Sequence, residues 1–269
     1  MSHHFKARFQ HAARLSAARY PFYVPLGLLC LVSVLFRWTN LDVQIASRFY
    51  DFQINSWAFA DKNPWEFIDE WFVFPGMILG VTSLIIASYG LIWRKKNRWT
   101  RGASLIALVL LIGPGLLVNG ILKPAFSRPR PREIVQLGGE QPYQPIFGFG
   151  KETDFNASFP SGHASIGFFL IAPAFLFRRK HRTRRMILIA GILFGSIMGL
   201  SRIVQGGHYL SDVIWSLAII YFTAWFVHVL LLTADLKGNS NSGTDDANSS
   251  ENKNKRFPSL PIEHIAKSA

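Results

Sequence analysis

Six near-continuous apolar runs, at about 22–36, 71–93, 103–122, 164–177, 186–200 and 213–232, constrain this chain more than any other feature in it. Several approach the roughly 20 residues that carry a helix across a bilayer. Composition agrees: 49% of residues are hydrophobic and only 17% are charged, against about 25% charged in soluble domains. The run at 164–177 is the shortest, and Phe159 with the small residues after it extends it outward. The expected fold is all-α, a polytopic membrane protein with six transmembrane helices. A basic segment at 1–20 precedes the membrane domain at 21–235. A tail at 236–269, rich in Asn, Ser, Lys and Asp, reads as disordered. The first run reads as an anchor rather than a cleaved signal, because about 20 residues precede it and RWTN follows it in place of a small-residue cleavage site. Cys30 is the single cysteine and lies in that run, which excludes an intramolecular disulfide and a cysteine metal site.

Charge sets the orientation. The formal net charge of +13 is concentrated in clusters that alternate with the spans. Lys6, Arg8, Arg14 and Arg19 precede the first run. Arg94, Lys95, Lys96, Arg98 and Arg101 separate the second from the third. Arg178, Arg179, Lys180, Arg182, Arg184 and Arg185 separate the fourth from the fifth. The loop after the first run instead carries Asp42, Asp51, Asp61, Glu66, Asp69 and Glu70, beside Trp57, Trp65 and Trp71 as interfacial aromatics. The positive-inside rule then places both termini in the cytoplasm of a cell whose inner (plasma) membrane holds the chain. Short basic clusters between apolar spans argue against nucleic-acid binding.

Three polar clusters fall on the opposite, outer side in this topology. The stretch 201–212, SRIVQGGHYLSD, sets His208 four residues before Asp212. A helix starting near its glycines stacks the two on one face. A carboxylate on one imidazole nitrogen fixes the tautomer and makes the other nitrogen a better nucleophile or base. Arg202 adds a permanent cation with a fork shaped for oxyanions. Gly206 and Gly207 form a turn or let the backbone approach a ligand closely. Pro160-Ser161-Gly162-His163 opens the fourth helix. Free amides there, with the Ser161 hydroxyl and the Gly162 amide, make an oxyanion cradle. His163 is a second imidazole, able to protonate a leaving alkoxide. Lys123, Arg128 and Arg130 form the third cluster, basic on the side where the orientation rule disfavours basic charge. The loop that follows, 123–160, is long and rich in Gly and Pro, as substrate-gating loops often are. Together the clusters indicate phosphate chemistry in one composite site.

At these residues the chain resembles the type 2 phosphatidic acid phosphatase superfamily, which also includes vanadium haloperoxidases. The pattern is Lys, six residues, Arg-Pro; then Pro-Ser-Gly-His; then Ser-Arg, five residues, His, three residues, Asp. Here it reads Lys123 with Arg130-Pro131, Pro160 to His163, and Ser201-Arg202 with His208 and Asp212, without a gap. The likeness covers about 103–232 and implies the helical core shared with the haloperoxidases. It implies catalytic roles for His208, His163 and Asp212: His208 attacks phosphorus to form a phosphohistidine, Asp212 orients it, and His163 protonates the departing oxygen and then activates water. It implies phosphate binding by Lys123, Arg130, Ser161, Gly162 and Arg202. Three cations leave no need for a metal or any other cofactor. Arg128 is not a fixed position of the pattern, and it reads as an outer support or a headgroup contact.

The expected substrate is a lipid phosphate at the outer membrane face: phosphatidic acid, phosphatidylglycerophosphate, undecaprenyl diphosphate or lipid A. The loop REIVQLGGEQPYQPIFGFG resembles, loosely, the region after the first motif in some bacterial lipid A phosphatases. A lipid-to-lipid phosphotransferase uses the same residues with another acceptor. A haloperoxidase fits poorly, since known examples resemble soluble proteins. A non-enzymatic transporter accounts for six helices and buried charge, but not for the three spacings. No sequence feature fixes the oligomeric state.

Overall fold

A computed structural model describes residues 3–18, 20–95, 97–149, 156–177 and 180–256, with side chains to residue 234. Arg19, Lys96, Arg178 and Arg179 of the basic clusters lie outside the described residues. The chain divides into two compact units, one of Arg14–His228 and another that joins the first residues, up to Ala13, with those from Val229 onward. The site described below lies wholly in the first.

The described chain is mostly helical, as backbone in hydrocarbon must be if its N–H and C=O groups are to be satisfied locally. In order the helices are α1 (His3–Ala17), α2 (Tyr23–Trp38), α3 (Leu41–Ala46), α4 (Trp65–Trp71), α5 (Val73–Ile92), α6 (Arg98–Leu110), α7 (Lys123–Phe126), α8 (Gly162–Phe168), α9 (His181–Val204) and α10 (Leu210–Arg256). A two-stranded antiparallel hairpin, β1 (Tyr50–Asp51) and β2 (Ser56–Trp57), sits between α3 and α4. Four helical stretches are long and apolar enough to cross a membrane: Trp65–Ile92, Arg98–Glu133, His181–Val204 and Leu210–Ala234. A fifth results if Tyr23–Trp38 and Leu41–Phe49, bent by 84°, are one span. The expected fourth run is a shorter apolar helix, Gly162–Leu176. Where six spans are expected, four helices are long enough to cross, or five with the bent pair, and the remaining run forms only the short helix. The bend follows Thr39-Asn40, where extended backbone ends α2. The short helix tightens after Phe168 into 3₁₀ turns that carry Pro173.

Local sequence explains several boundaries. Asn97 caps α6, accepting from the amides of Trp99 and Thr100 while Thr100 returns the bond to the Asn97 amide. Beyond Leu110 the same rod continues through Leu111–Leu122 in wider π turns containing Pro114. Proline has no N–H to give within those turns, and Asn119 Nδ2 donates to the Pro114 carbonyl at 2.7 Å. Such widened turns are frequent beside functional sites, and this one delivers Lys123. The last helix runs on to Arg256, past residue 236, where composition predicts disorder. No proline interrupts that stretch before Pro258. Residues 257–269 of the expected tail lie outside the described residues.

Packing separates two kinds of surface. On α2 and α5, Leu28, Leu31, Val34, Ile78, Val81 and Ile85 stand exposed, as expected of helices whose solvent is lipid. On α9, Gly191, Gly195 and Gly199 form a stripe of close approach, since a Cβ there would strike Ile171, Phe168 and Val213 respectively. That stripe brings α8 and α10 against α9. At one end of the bundle Phe36, Ile146 and Phe159 form an apolar cluster with Trp215 beside it. The end of the α6 rod, the start of α8, the end of α9 and the start of α10 meet at this same end.

Candidate active site

His208 lies between α9 and α10, in the turn Gln205–Tyr209. α10 begins at Leu210, so Asp212 is in its first turn and His208 precedes the helix instead of sharing its face. The ring is closed off from solvent. Its Nδ1 is 2.6 Å from the Ser158 carbonyl and 3.7 Å from Asp212 Oδ2. Only the first distance is a hydrogen bond. A carbonyl can only accept, so Nδ1 carries the proton and Nε2 carries the lone pair. The sequence reading put Asp212 directly on the imidazole. In the structure a backbone carbonyl sets the tautomer, and Asp212 supplies negative charge from just beyond contact. Burial lowers His208 to about 4, with Arg202 and Lys123 acting in the same sense and Asp212 opposing them. The ring is therefore neutral at ordinary pH.

Asp212 is fully buried and bound on both oxygens. Oδ1 accepts from Arg128 Nη1 at 2.7 Å, and Oδ2 accepts from the Tyr209 amide at 2.8 Å and from the Ser158 hydroxyl. Ser158 thus joins the pair, accepting from His208 through its carbonyl and donating to Asp212 through Oγ. Arg128 is 1% exposed, which excludes the headgroup contact and leaves the outer support. Its guanidinium also reaches Asp42 Oδ2 at 2.8 Å and the Gln144 carbonyl at 2.9 Å. It lies over the Tyr209 ring, 4.0 Å from the centroid.

Around His163 the surroundings are open. The side chain is 44% exposed, and its Nε2 stands 3.8 Å from Asp69 Oδ1. Asp69 Oδ2 binds Arg202 Nη1 at 2.6 Å, and Gln205 Oε1 binds the same nitrogen at 2.7 Å. Among the described residues, Arg202 Nε and Asp69 Oδ1 are buried with no hydrogen-bond partner. An unpartnered buried guanidinium N–H marks a place for an oxyanion. Lys123, Arg130 and Arg202 all bear electrostatically on His163. A Cβ on Gly162 would lie 3.6 Å from Lys123 Nζ. Ser161 caps α8, accepting from the Ala164 amide at 3.3 Å, and is itself buried. Its carbonyl shares the Ser216 hydroxyl with the Asp212 carbonyl, at 2.9 and 2.8 Å. Arg130 Nε donates to the Asn156 carbonyl at 3.0 Å, and Nη2 reaches Asn156 Oδ1. A Cβ on Gly207 would meet Arg202 Nη2 at 2.8 Å, so glycine there lets the backbone pass close to the guanidinium. The three sequence clusters therefore converge on one place.

The PAP2 superfamily model matches residues 102–235. A lipid A 4′-phosphatase of Francisella tularensis subsp. novicida is 33% identical over 217 residues, 78% of this chain and 96% of that protein. The chain belongs to the PAP2 superfamily. It is also similar to a lipid A 1-phosphatase of Rhizobium johnstonii, 40% identical over 45% of this chain and 42% of that protein. An undecaprenyl-diphosphatase of Bacillus subtilis is 30% identical over 55% of this chain and 69% of that protein. No solved structure matches the chain. Every site residue expected from sequence falls inside the PAP2 match, whereas Asp42 and Asp69 fall outside it. Sequence reading missed those two as members of the site. Each is one acid in an acidic loop, and its place in the site depends on the turn of α3 and α4 toward the bundle end.

Proposed function

We propose that this PAP2 protein is an integral membrane lipid phosphatase that hydrolyses a phosphomonoester or diphosphate of a lipid through a phosphohistidine on His208. The observation that carries this reading is the meeting of a buried neutral imidazole, a second and accessible imidazole, and Arg202, whose Nε is buried without a hydrogen-bond partner among the described residues. The Nε2 lone pair of His208 attacks phosphorus as the bond to the leaving oxygen breaks. That oxygen takes its proton from His163. Water then gives a proton to His163 as its oxygen attacks phosphorus, the N–P bond breaks, and inorganic phosphate leaves with Nε2 restored. Lys123, Arg130, Arg202, Ser161 and the Gly162 amide hold the phosphoryl oxygens and balance the charge that develops.

The near full-length likeness to the Francisella relative supports a glycolipid phosphate such as lipid A as substrate. The Bacillus relative supports retaining lipid diphosphates beside it. The chain crosses the inner membrane six times in this reading, with the bent α2–α3 pair first and Gly162–Leu176 fourth. Both termini and the basic loops are cytoplasmic, and the site faces outward. In a Cys30→Ser background, Thr183→Cys should resist an impermeant thiol reagent in intact cells and Glu140→Cys should react. The reverse labelling contradicts the orientation. The functional test is phosphate release by purified protein across a panel of lipid phosphates, with glucose 6-phosphate as the soluble control and with and without chelator. Turnover of lipid phosphates well above the soluble ester, undiminished by EDTA, is the expected result. Turnover that EDTA abolishes and magnesium restores overturns the mechanism.

A further inference from the structure

We propose that Asp42 is a positioning residue of the reaction: by sharing the Arg128 guanidinium with Asp212, it keeps net negative charge beside His208. The proposal rests on the reading of His208 as nucleophile. Arg128 donates from Nη1 to Asp212 Oδ1 at 2.7 Å and to Ser211 Oγ at 2.9 Å, and from Nη2 to Asp42 Oδ2 at 2.8 Å. Asp42 Oδ1 accepts from the Ser211 amide at 3.1 Å, and Oδ2 accepts from the Ser211 hydroxyl. Arg128 Nη1 and the Tyr209 amide on Asp212, and Arg128 Nη2 and the Ser211 amide on Asp42, can only donate, the pattern of ionised acids. All three charged side chains are at most 1% exposed.

Charge counting then gives the device a direction. Two carboxylates, one guanidinium and a neutral His208 sum to one negative charge in a place closed to water. Unbalanced buried charge is unfavourable. When Nε2 bonds to phosphorus, the ring still holds its Nδ1 proton and becomes cationic. The four groups then sum to zero. The cluster is thus balanced in the phosphoenzyme, and approaching balance in the transition state that leads to it, but not at rest. Such charge arranged in advance for the later state is what accelerates a step. Without Asp42, Arg128 would neutralise Asp212, and the pull on the developing imidazolium would fall. Asp42 reaches this place from α3, 86 residues before Arg128 in the chain, and its carboxylate is hydrogen-bonded there to Arg128 and Ser211.

Asparagine at 42 removes the charge but keeps the shape. Its carbonyl can accept from the Ser211 amide or from Arg128, and its amide can donate to the Ser211 hydroxyl. Asn leaves one of those two donors facing its own amide, so loss of a structural staple weakens the fold but leaves the pH limb in place, whereas loss of a charge device moves the limb. The groups bearing on His208 are Asp212, Arg202 and Lys123. Those around the Asp42–Arg128 pair are Asp212, Tyr143 and Tyr209.

The test uses full-length protein in detergent, with an aryl phosphate as probe. It reads single-turnover phosphoenzyme formation, KM and the pH profile, each normalised to the folded fraction from a thermal melt. Asp42→Asn should slow phosphoenzyme formation about tenfold or more, the range seen when the outer partner of a tuned ligand is lost. KM should stay unchanged. The acid limb of kcat/KM should move to lower pH, because removing an anion disfavours the protonated ring. Asp42→Asn combined with Arg128→Gln restores the net charge, so it should form phosphoenzyme faster than Asp42→Asn alone. A rate and pH limb equal to wild type in folded Asp42→Asn overturn the proposal. A folded double variant slower than the single one also overturns it, since that is how a staple behaves. If the double variant does not fold, the single variant decides. Absence of phosphoenzyme in wild type itself overturns the nucleophile assignment, and the proposal with it.

Discussion

The two imidazoles of the site live in opposite surroundings. The His208 side chain is 2% exposed beside a carboxylate that is fully buried, and its Nδ1 is fixed by a backbone carbonyl. The His163 side chain is 44% exposed, and the carboxylate near it is itself 25% exposed. The closed side is a chain of satisfied groups running from His208 through Ser158, Asp212 and Arg128 to Asp42. Among the described residues the open side holds two buried polar atoms without partners, on Arg202 and Asp69, and the closed side holds the Tyr209 hydroxyl. A nucleophile needs one orientation and an unprotonated ring, which enclosure supplies. A group that serves a leaving oxygen and then a water needs access to both. The difference in burial thus maps onto the division of labour.

The sharpest break of this comparison is His208→Ala, which removes the closed side's only nucleophile. It should cut kcat on the order of 10⁴-fold or more, as loss of a nucleophile does elsewhere, in a steady-state phosphate-release assay. Next comes His163→Ala, with an expected loss of about 10²–10⁴-fold on an alkyl phosphate such as phosphatidic acid. The loss should be smaller on an aryl phosphate, whose leaving group needs less help from an acid. Equal losses on the two would detach His163 from the leaving group. Asp212→Asn keeps the shape of the closed side and should lose on the order of 10²-fold, by analogy with triad carboxylates. Asp69→Asn touches only the open side and should cost less than Asp212→Asn, because its carboxylate is 25% exposed where that of Asp212 is fully buried. Its deficit should again be larger on the alkyl than on the aryl ester, because it acts through His163.

Acid should report on the closed side. The ring of His208 sits at about 4 when folded because burial disfavours its charge, against an ordinary value of 6.5. The unfolded chain therefore binds more protons in that window. Stability should fall as pH drops from about 6.5 to about 4 and should be fully present above it. A thermal melt against pH checks this, and His208→Ala should lose that part of the slope.

The closed and open sides were not equally legible in the sequence. His208 with Asp212, Ser161 with His163, and Lys123 with Arg130 lie within a turn or two of chain. Short spacing alone therefore brings them together, and the charge of the flanking loops assigns them to one side. Ser158, Asp42 and Asp69 meet the site through tertiary folding only. Asp42 is contributed by α3 beyond a bend of 84°, which no periodicity announces, and Ser158 acts through a carbonyl that every residue possesses. The apolar runs were legible as helices. Their count was harder to read, because Gly162–Leu176 is short and the first run breaks at Thr39-Asn40.

The central claim is that the enclosed ring, and not the exposed one, carries the phosphoryl group. Rapid-quench trapping with a ³²P-labelled lipid phosphate tests it directly. Wild type should carry an acid-labile, base-stable label, His163→Ala should keep the same label, and His208→Ala should carry none. Label on His208→Ala together with its loss from His163→Ala would contradict the account and exchange the two roles.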